Sequence, residues 1–300
     1  MLAGVGPALV DYINVIDEYP KVGGHAVVRK TMKMAGGAAA NVIYGLSILG
    51  VKCRFYSTIG EDEDAEFFKK SMGNVELICN VTHKETGKVV IYVDKNGERT
   101  FFVHPNAAGI VDLPMEDKDF EEIDYLYLDP FPSDKSFAVH LNLAKKAKKF
   151  KTFVILNPGF PYTSLGFEKL SELLKYVDML IMSKDEFLTL NKSEEEILKF
   201  VDYLIITLGK DGCRCISKIE GLKKIEKIEK RAFKTDVVDS TGAGDAFAVG
   251  FIYGFLNNFG LEKSLLLGNY VASCNIRYYG ARNFPSKKEI DEFLKKQAGR

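Results

Sequence analysis

Three hundred residues, 46% of them hydrophobic and 27% charged, suffice for one large α/β domain or two smaller ones with a substantial core. Lys+Arg and Asp+Glu are both 41, and this zero net charge argues against a general nucleic-acid binder. The five cysteines (Cys53, Cys79, Cys213, Cys215, Cys274) lack zinc-type spacing, which suggests reduced thiols in a cytoplasm, and no segment approaches membrane-spanning length.

Residues 2–10 are apolar, short and without a basic start, so they read as a central strand rather than a signal peptide. That strand is expected to end on Asp11, where ligands collect in open α/β sheets; a solvated turn aspartate is the plainer alternative. From 12 to 34, short extended pieces alternate with turn residues such as Gly23-Gly24. Gly36 and Gly37 then precede a helix expected over about 42–49, with Asn41 at its start. Those glycines permit close backbone approach to a ligand, or make a tight turn with no ligand at all.

Residues 53–59 read as a strand, and 65–71 as a helix whose acidic opening suits the helix dipole. The segments 88–94 and 99–104 read as a hairpin turning at Asn96-Gly97. Two all-β insertions, about 12–34 and 86–106, can therefore pair into a small lid. Beyond them, strands are expected at 125–128, 152–156, 179–182 and 204–207, with helices between, and an antiparallel pair at 213–217 and 223–229. Lys145, Lys146, Lys148 and Lys149 read as a solvated helix face rather than a phosphate or RNA patch. Polar or glycine residues follow strand after strand: Asp11, Gly36-Gly37, Asn157, Glu186, Gly209 and Gly242 to Asp245. This implies an α/β fold, with a mostly parallel central sheet covered by helices on both faces and a small β lid.

Asp239-Ser240-Thr241-Gly242-Ala243-Gly244-Asp245 lies between a β-branched, strand-like stretch at 236–238 and an apolar helical run. On one reading the glycine turn is an anion site at a helix N-terminus, and Asp245 receives a proton during phosphoryl transfer. On the other it is an ordinary capped helix start with an acidic first turn.

Taken together, these stretches resemble the ribokinase-like (PfkB) carbohydrate kinase family over nearly the whole chain. The 239–245 stretch is similar to its C-terminal signature D-T-x-G-A-G-D, and Gly36-Gly37-Ala38-Ala39-Ala40-Asn41 to its N-terminal G-G-x-x-x-N. Thr207-Leu208-Gly209-Lys210-Asp211-Gly212 is similar to the T-L-G-x-x-G nucleotide turn, and Gly97-Glu98-Arg99 sits where the lid hairpin turns.

The resemblance implies one ribokinase-like domain over 1–300, acting as an ATP-dependent kinase on a hydroxyl of a small sugar. It implies Asp245 as the base, with Gly242, Ala243 and Gly244 as the anion hole. Asp11, Asn41 and the Gly36-Gly37 backbone would bind acceptor hydroxyls. Thr207, Gly209 and Gly212 would line the ATP site, with Asn269 and Gly280 near the adenine. Glu186 would hold Mg2+ through water, and Asp239 and Thr241 stand where many members bind a monovalent cation such as K+.

Three residues depart from the pattern. Ser183 replaces the asparagine of N-x-x-E, a duty Asn157 is placed to share; Ala65 replaces a glycine; and Ala38 replaces a lysine, which disfavours an already phosphorylated acceptor. The alternatives are a nucleoside kinase, its base stacked on Phe101 or Phe102, and a non-catalytic sugar-binding protein. Lid strand edges make a lid-to-lid homodimer an expectation.

A free aspartate has a pKa of about 4 and water, standing in for an alcohol, about 15.7, so complete deprotonation before transfer would cost roughly 16 kcal/mol. The helix N-terminus is expected to lower the Asp245 pKa and widen that gap. Asp245 is therefore expected to orient the hydroxyl and take its proton late.

Overall fold

The computed structural model describes residues 1–218 and 225–298. Its strands, in chain order, are β1 (Leu2–Val5), β2 (Leu9–Ile16), β3 (Val28–Gly36), β4 (Cys53–Ile59), β5 (Glu76–Val81), β6 (Gly87–Val93), β7 (Arg99–His104), β8 (Tyr125–Leu128), β9 (Phe153–Leu156), β10 (Met179–Ser183), β11 (Tyr203–Thr207), β12 (Cys213–Lys218) and β13 (Ile225–Lys230). Every residue of β1 and β4 is buried, the pattern of strands covered on both faces.

The main sheet runs β13-β12-β11-β10-β9-β8-β1-β4-β5. It is parallel from β5 through β11, with β12 and β13 added antiparallel at one edge. Residues 223 and 224, included in the expected partner of β12, lie outside the described residues. On one face, helices Ala38–Ile48 and Ala243–Leu256 pack through Ile43, Leu46 and Phe251 onto Phe55, Tyr127 and Ile155. On the other, helices Ser136–Lys149 and Phe167–Leu174 bring Leu143, Ala147 and Leu170 onto Val5, Leu126 and Val154. Each such Leu, Ile or Phe contributes about 1.5–3 kcal/mol by leaving water.

A second sheet, ordered β3-β2-β6-β7, forms the lid. The register places Asp11, Ile13, Val89, Ile91, Phe101 and Arg99 on one face and Tyr12, Tyr92 and Phe102 on the other. The second face is tied to the main body: the Tyr12 hydroxyl donates to Asp64 at 2.6 Å, and Lys33 pairs with the same carboxylate.

Three expectations are corrected. Residues 2–10 are two strands, not one: Gly6-Pro7 separates β1 of the main sheet from β2 of the lid, because Pro7 lacks an N–H for the ladder and restricts the residue before it. Asp11 is therefore the third residue of a lid strand, not the end of a sheet strand. Residues 236–238 are not a strand; Val237 and Val238 are exposed, and the Val238 N–H donates to the Ile276 carbonyl at 2.8 Å. The edge strand β5, half-buried and lacking clean alternation, was not expected.

Candidate active site

Helix Ala243–Leu256 begins at Gly242, whose φ of 68° and ψ of 13° are left-handed; a Cβ there would lie 2.4 Å from that of Ala281. Glycine is required by conformation and by space alike. The Ala243 N–H turns back to the Ser240 carbonyl at 3.3 Å. Helix geometry thus leaves the N–H groups of Gly244 and Asp245 without intrahelical acceptors, and the space beside Gly244 is open. An anion fits there.

The Asp245 side chain sits in a three-residue chain of bonds. Arg282 Nε donates to Asn41 Oδ1 at 2.8 Å, and Asn41 Nδ2 donates to Asp245 Oδ2 at 2.8 Å. Arg282 is held over the Tyr44 ring, and its Nη1 reaches Ser71 Oγ at 3.2 Å. Burial pulls its pKa down to about 10 against the favourable charges of Asp11 and Asp245. The expected lowering at Asp245 is overturned: desolvation raises its pKa, outweighing the Asn41 hydrogen bond and the Arg282 charge. The carboxylate is a somewhat better proton acceptor than a free one.

Across from it, burial pushes Asp11 up to about 7, with Arg282 opposing and Asp245 adding to the shift. A Cβ on Gly36 would fall 2.4 Å and 2.5 Å from the two Asp11 carboxylate oxygens, so that glycine makes room for the carboxylate. Gly37, at φ 95°, caps helix Ala38–Ile48 and puts Asn41 in its first turn, four residues earlier than expected for the helix start. Between lid and main body, a cleft of 210 Å³ is walled by Ile13, Ile91, Val93, Val238 and Tyr279.

Two further groups escaped the sequence reading. Arg282 comes from an irregular stretch with no periodicity. Asp129 directly follows β8 and is buried; desolvation first, then the Asp245 charge, holds its pKa well above the usual range, while the Ala39 N–H lowers it. Its strand-end position carried the same signal as Asn157 and Glu186.

Among the residues expected at the nucleotide, Thr207 closes β11 and Gly209 begins the turn that the Leu208 N–H to Gly212 carbonyl bond (2.7 Å) closes. Asn269 is buried with its amide nitrogen donating to the Lys230 and Arg231 carbonyls, so it braces backbone beside Gly212. Gly280 N–H donates to Asp239 Oδ2 at 2.9 Å and packs under Met34 of the lid, which places it beside the catalytic loop. Ser183 and Glu186 form a capping box, with Glu186 Oε2 accepting from the Ser183 N–H at 2.7 Å. Ser183 thus acts as the helix cap, and Glu186 Oε1 remains for a water or ion.

The oxygens of Asp239 and Thr241 are already taken. Asp239 Oδ1 accepts from Arg99 Nη1 at 2.7 Å, from the Thr241 N–H at 2.9 Å and from the Thr241 hydroxyl at 2.7 Å. Oδ2 accepts from Gly280, and the Thr241 carbonyl from Asn275 Nδ2 at 2.9 Å. Arg99 also reaches the hydroxyls of Thr241 and Ser240. A monovalent cation does not fit beside this guanidinium: like charges 4 Å apart repel by about 4 kcal/mol at an effective dielectric near 20.

A glycine anion turn with a carboxylate in it, facing a lid-borne carboxylate, defines a phosphotransferase with an alcohol acceptor. The pfkB family carbohydrate kinase model matches residues 2–289, and the chain belongs to that family. It is 30% identical over 302 residues to a nucleoside kinase of Methanocaldococcus jannaschii, covering 97% of this chain and 96% of that protein. It is 28% identical to a ribokinase of Dictyostelium discoideum, covering 96% and 98%. A solved ribokinase from Thermotoga maritima superposes with a TM-score of 0.84 at 25% identity, covering 98% of this chain and 99% of the other.

Proposed function

We propose that the protein transfers the γ-phosphoryl group of ATP to a hydroxyl of a small sugar held between Asp11 and Asp245. The observation that carries this is the Arg282–Asn41–Asp245 chain, which holds a desolvated carboxylate on the same helix turn as the Gly244 and Asp245 N–H groups that lack intrahelical acceptors. Asp11, with the Gly36-Gly37 backbone and Asn41, grips the acceptor's hydroxyls. Asp245 orients the reacting hydroxyl and accepts its proton as the O–P bond forms. The Gly242 turn stabilises the charge that gathers on the transferring oxygens. Thr207, Gly209 and Gly212 form the nucleotide side, Asn269 braces the backbone beside Gly212, and Gly280 holds Asp239 at the other side of the site.

No cluster of three or more His, Cys, Asp or Glu side chains able to hold a metal occurs among the described residues. That suits Mg2+, which is held by one or two carboxylates together with substrate phosphates. Glu186 would hold it through water, and the ion would neutralise phosphate charge. The four-stranded sheet acts as a lid on a single kinase domain, keeping water from the phosphoryl group.

A nucleoside acceptor is the second reading. It is favoured by the apolar lid face of Ile13, Ile91 and Phe101, which offers a heterocycle an unpolar wall, and by the nucleoside kinase relative. Phe102 is on the opposite face and does not contribute. Turnover of a panel of sugars and nucleosides with ATP and Mg2+ separates the two; no phosphorylated product from either class would reject both.

The open edges β3 and β7 favour a homodimer joined through the lid, testable by light scattering of the purified protein. The free cysteines fit a reducing compartment, the cytoplasm. No helix among the described residues is long and apolar enough to cross a membrane.

A further inference from the structure

Arg99 is the first residue of β7, on the lid face that looks down on the catalytic loop. Its guanidinium bridges the lid to three consecutive side chains of that loop, Asp239, Ser240 and Thr241. The pair is largely shielded: the side chain of Asp239 is 8% exposed and that of Arg99 22%. Shielding matters, because an ion pair open to water contributes little and is easily replaced by dissolved ions. A planar fork with several donors can satisfy a carboxylate and two hydroxyls at once, which a spherical ion does only by recruiting further oxygens. Asp239 Oδ2 and the Thr241 carbonyl each already accept one N–H group, so an ion drawn to them would compete with those bonds.

The turn ordered in this way is the one that ends in Gly242 and the N–H groups of Gly244 and Asp245. We propose that Arg99 is a built-in cation that orders the anion-hole turn in place of a free monovalent ion, so that lid closure itself completes the phosphate-binding loop. Arg99 is a positioning residue: it acts on the transferring phosphate through the 239–241 turn. The inference rests on the kinase reading above for its activity arm, though not for its melting-temperature arm. It also differs from a purely structural ion pair in one respect. Removing the guanidinium should create a need for a cation that the intact protein does not have.

The test compares the wild-type chain with Arg99→Ala and Arg99→Lys in potassium, sodium or tetramethylammonium chloride at constant ionic strength. Two readouts are taken: turnover on whichever acceptor is phosphorylated, and the melting temperature without substrates. Wild-type kcat should change less than about twofold among the three salts, while Arg99→Ala should lose about 10²-fold in tetramethylammonium, as for loss of an anion-hole donor. Potassium, or added guanidinium, should restore part of that loss, and Arg99→Lys should fall between. Potassium should likewise raise the melting temperature of Arg99→Ala and leave that of the wild type unchanged. Strong potassium activation of the wild type would overturn the proposal. So would an Arg99→Ala protein with unchanged kcat or with no cation dependence in either readout. If the wild type phosphorylates nothing, the kinase reading fails, and the melting temperatures still decide the cation question.

Discussion

Arg282 Nε holds Asn41 Oδ1 at 2.8 Å, and that one bond decides which way round the Asn41 amide sits. With Oδ1 taken by a cation, the Nδ2 group is the end presented to Asp245, which it reaches at 2.8 Å. One Asp245 oxygen is thereby occupied and the other is left for the acceptor. Arg282→Met should free the amide to rotate and lower kcat by about tenfold to 10²-fold, the cost of misplacing a reacting group. The KM for ATP should move little. Steady-state kinetics at saturating ATP check this, and an unchanged kcat would remove the bond from any catalytic role.

Asp245→Asn keeps the shape of the site and removes its proton acceptor. Turnover should fall by about 10²- to 10⁴-fold, the usual worth of a general base. Acceptor binding measured by calorimetry should stay within a few-fold. A variant with near-normal turnover would assign the proton to another group.

Asp11 gives a pH signature whose sign follows from burial. Its native pKa of about 7 lies above its ordinary 3.8, so the native state binds a proton that the unfolded chain releases. This contribution to stability is complete below pH 3.8 and is lost as pH rises towards 7. Thermal melts should therefore show Asp11→Asn flattening the decline in stability between those values. In the same range kcat/KM for the acceptor should rise with pH in the wild type, because the ionised carboxylate accepts hydroxyl protons and the neutral acid does so poorly. A profile unchanged by the substitution would reject this assignment.

Gly36→Ala tests the acceptor grip without touching Asp245. The new methyl would meet both Asp11 oxygens, at 2.4 and 2.5 Å. Displacing the carboxylate should raise the acceptor KM by about tenfold or more, with a stability cost of about 1–3 kcal/mol for overpacking. A KM unchanged in a folded variant would show that Asp11 has room to spare.

Much of this site was legible because its parts are local. Gly242 and Gly37 mark helix starts by composition, and each start carries its polar residue, Asp245 or Asn41, within one turn. The alternation of apolar runs with polar strand ends fixed the parallel sheet for the same reason. What was not legible depends on contacts far apart in sequence. Arg282 meets Asn41 across 241 positions, from a loop with no pattern of its own. Asp245's raised pKa reflects desolvation set by its tertiary surroundings, a quantity that no helix-terminus argument contains. Asp11 is placed on the lid rather than at the end of a main-sheet strand, because the proline break at Pro7 is not visible as a strand boundary in an apolar run.

That break has a consequence for how such a protein can change. The strand that carries Asp11 belongs wholly to the lid, while Asp245 and its glycine turn belong wholly to the main body. The groups proposed to hold the acceptor and those proposed to move the phosphate thus sit largely on different pieces of chain, and the first crossing between those pieces is the three-residue link Gly6 to Ala8. An exchanged lid would change at one stroke the residue standing at Asp11 and the Arg99 contact to the 239–241 turn, so the two ends of the site are not independent of the lid.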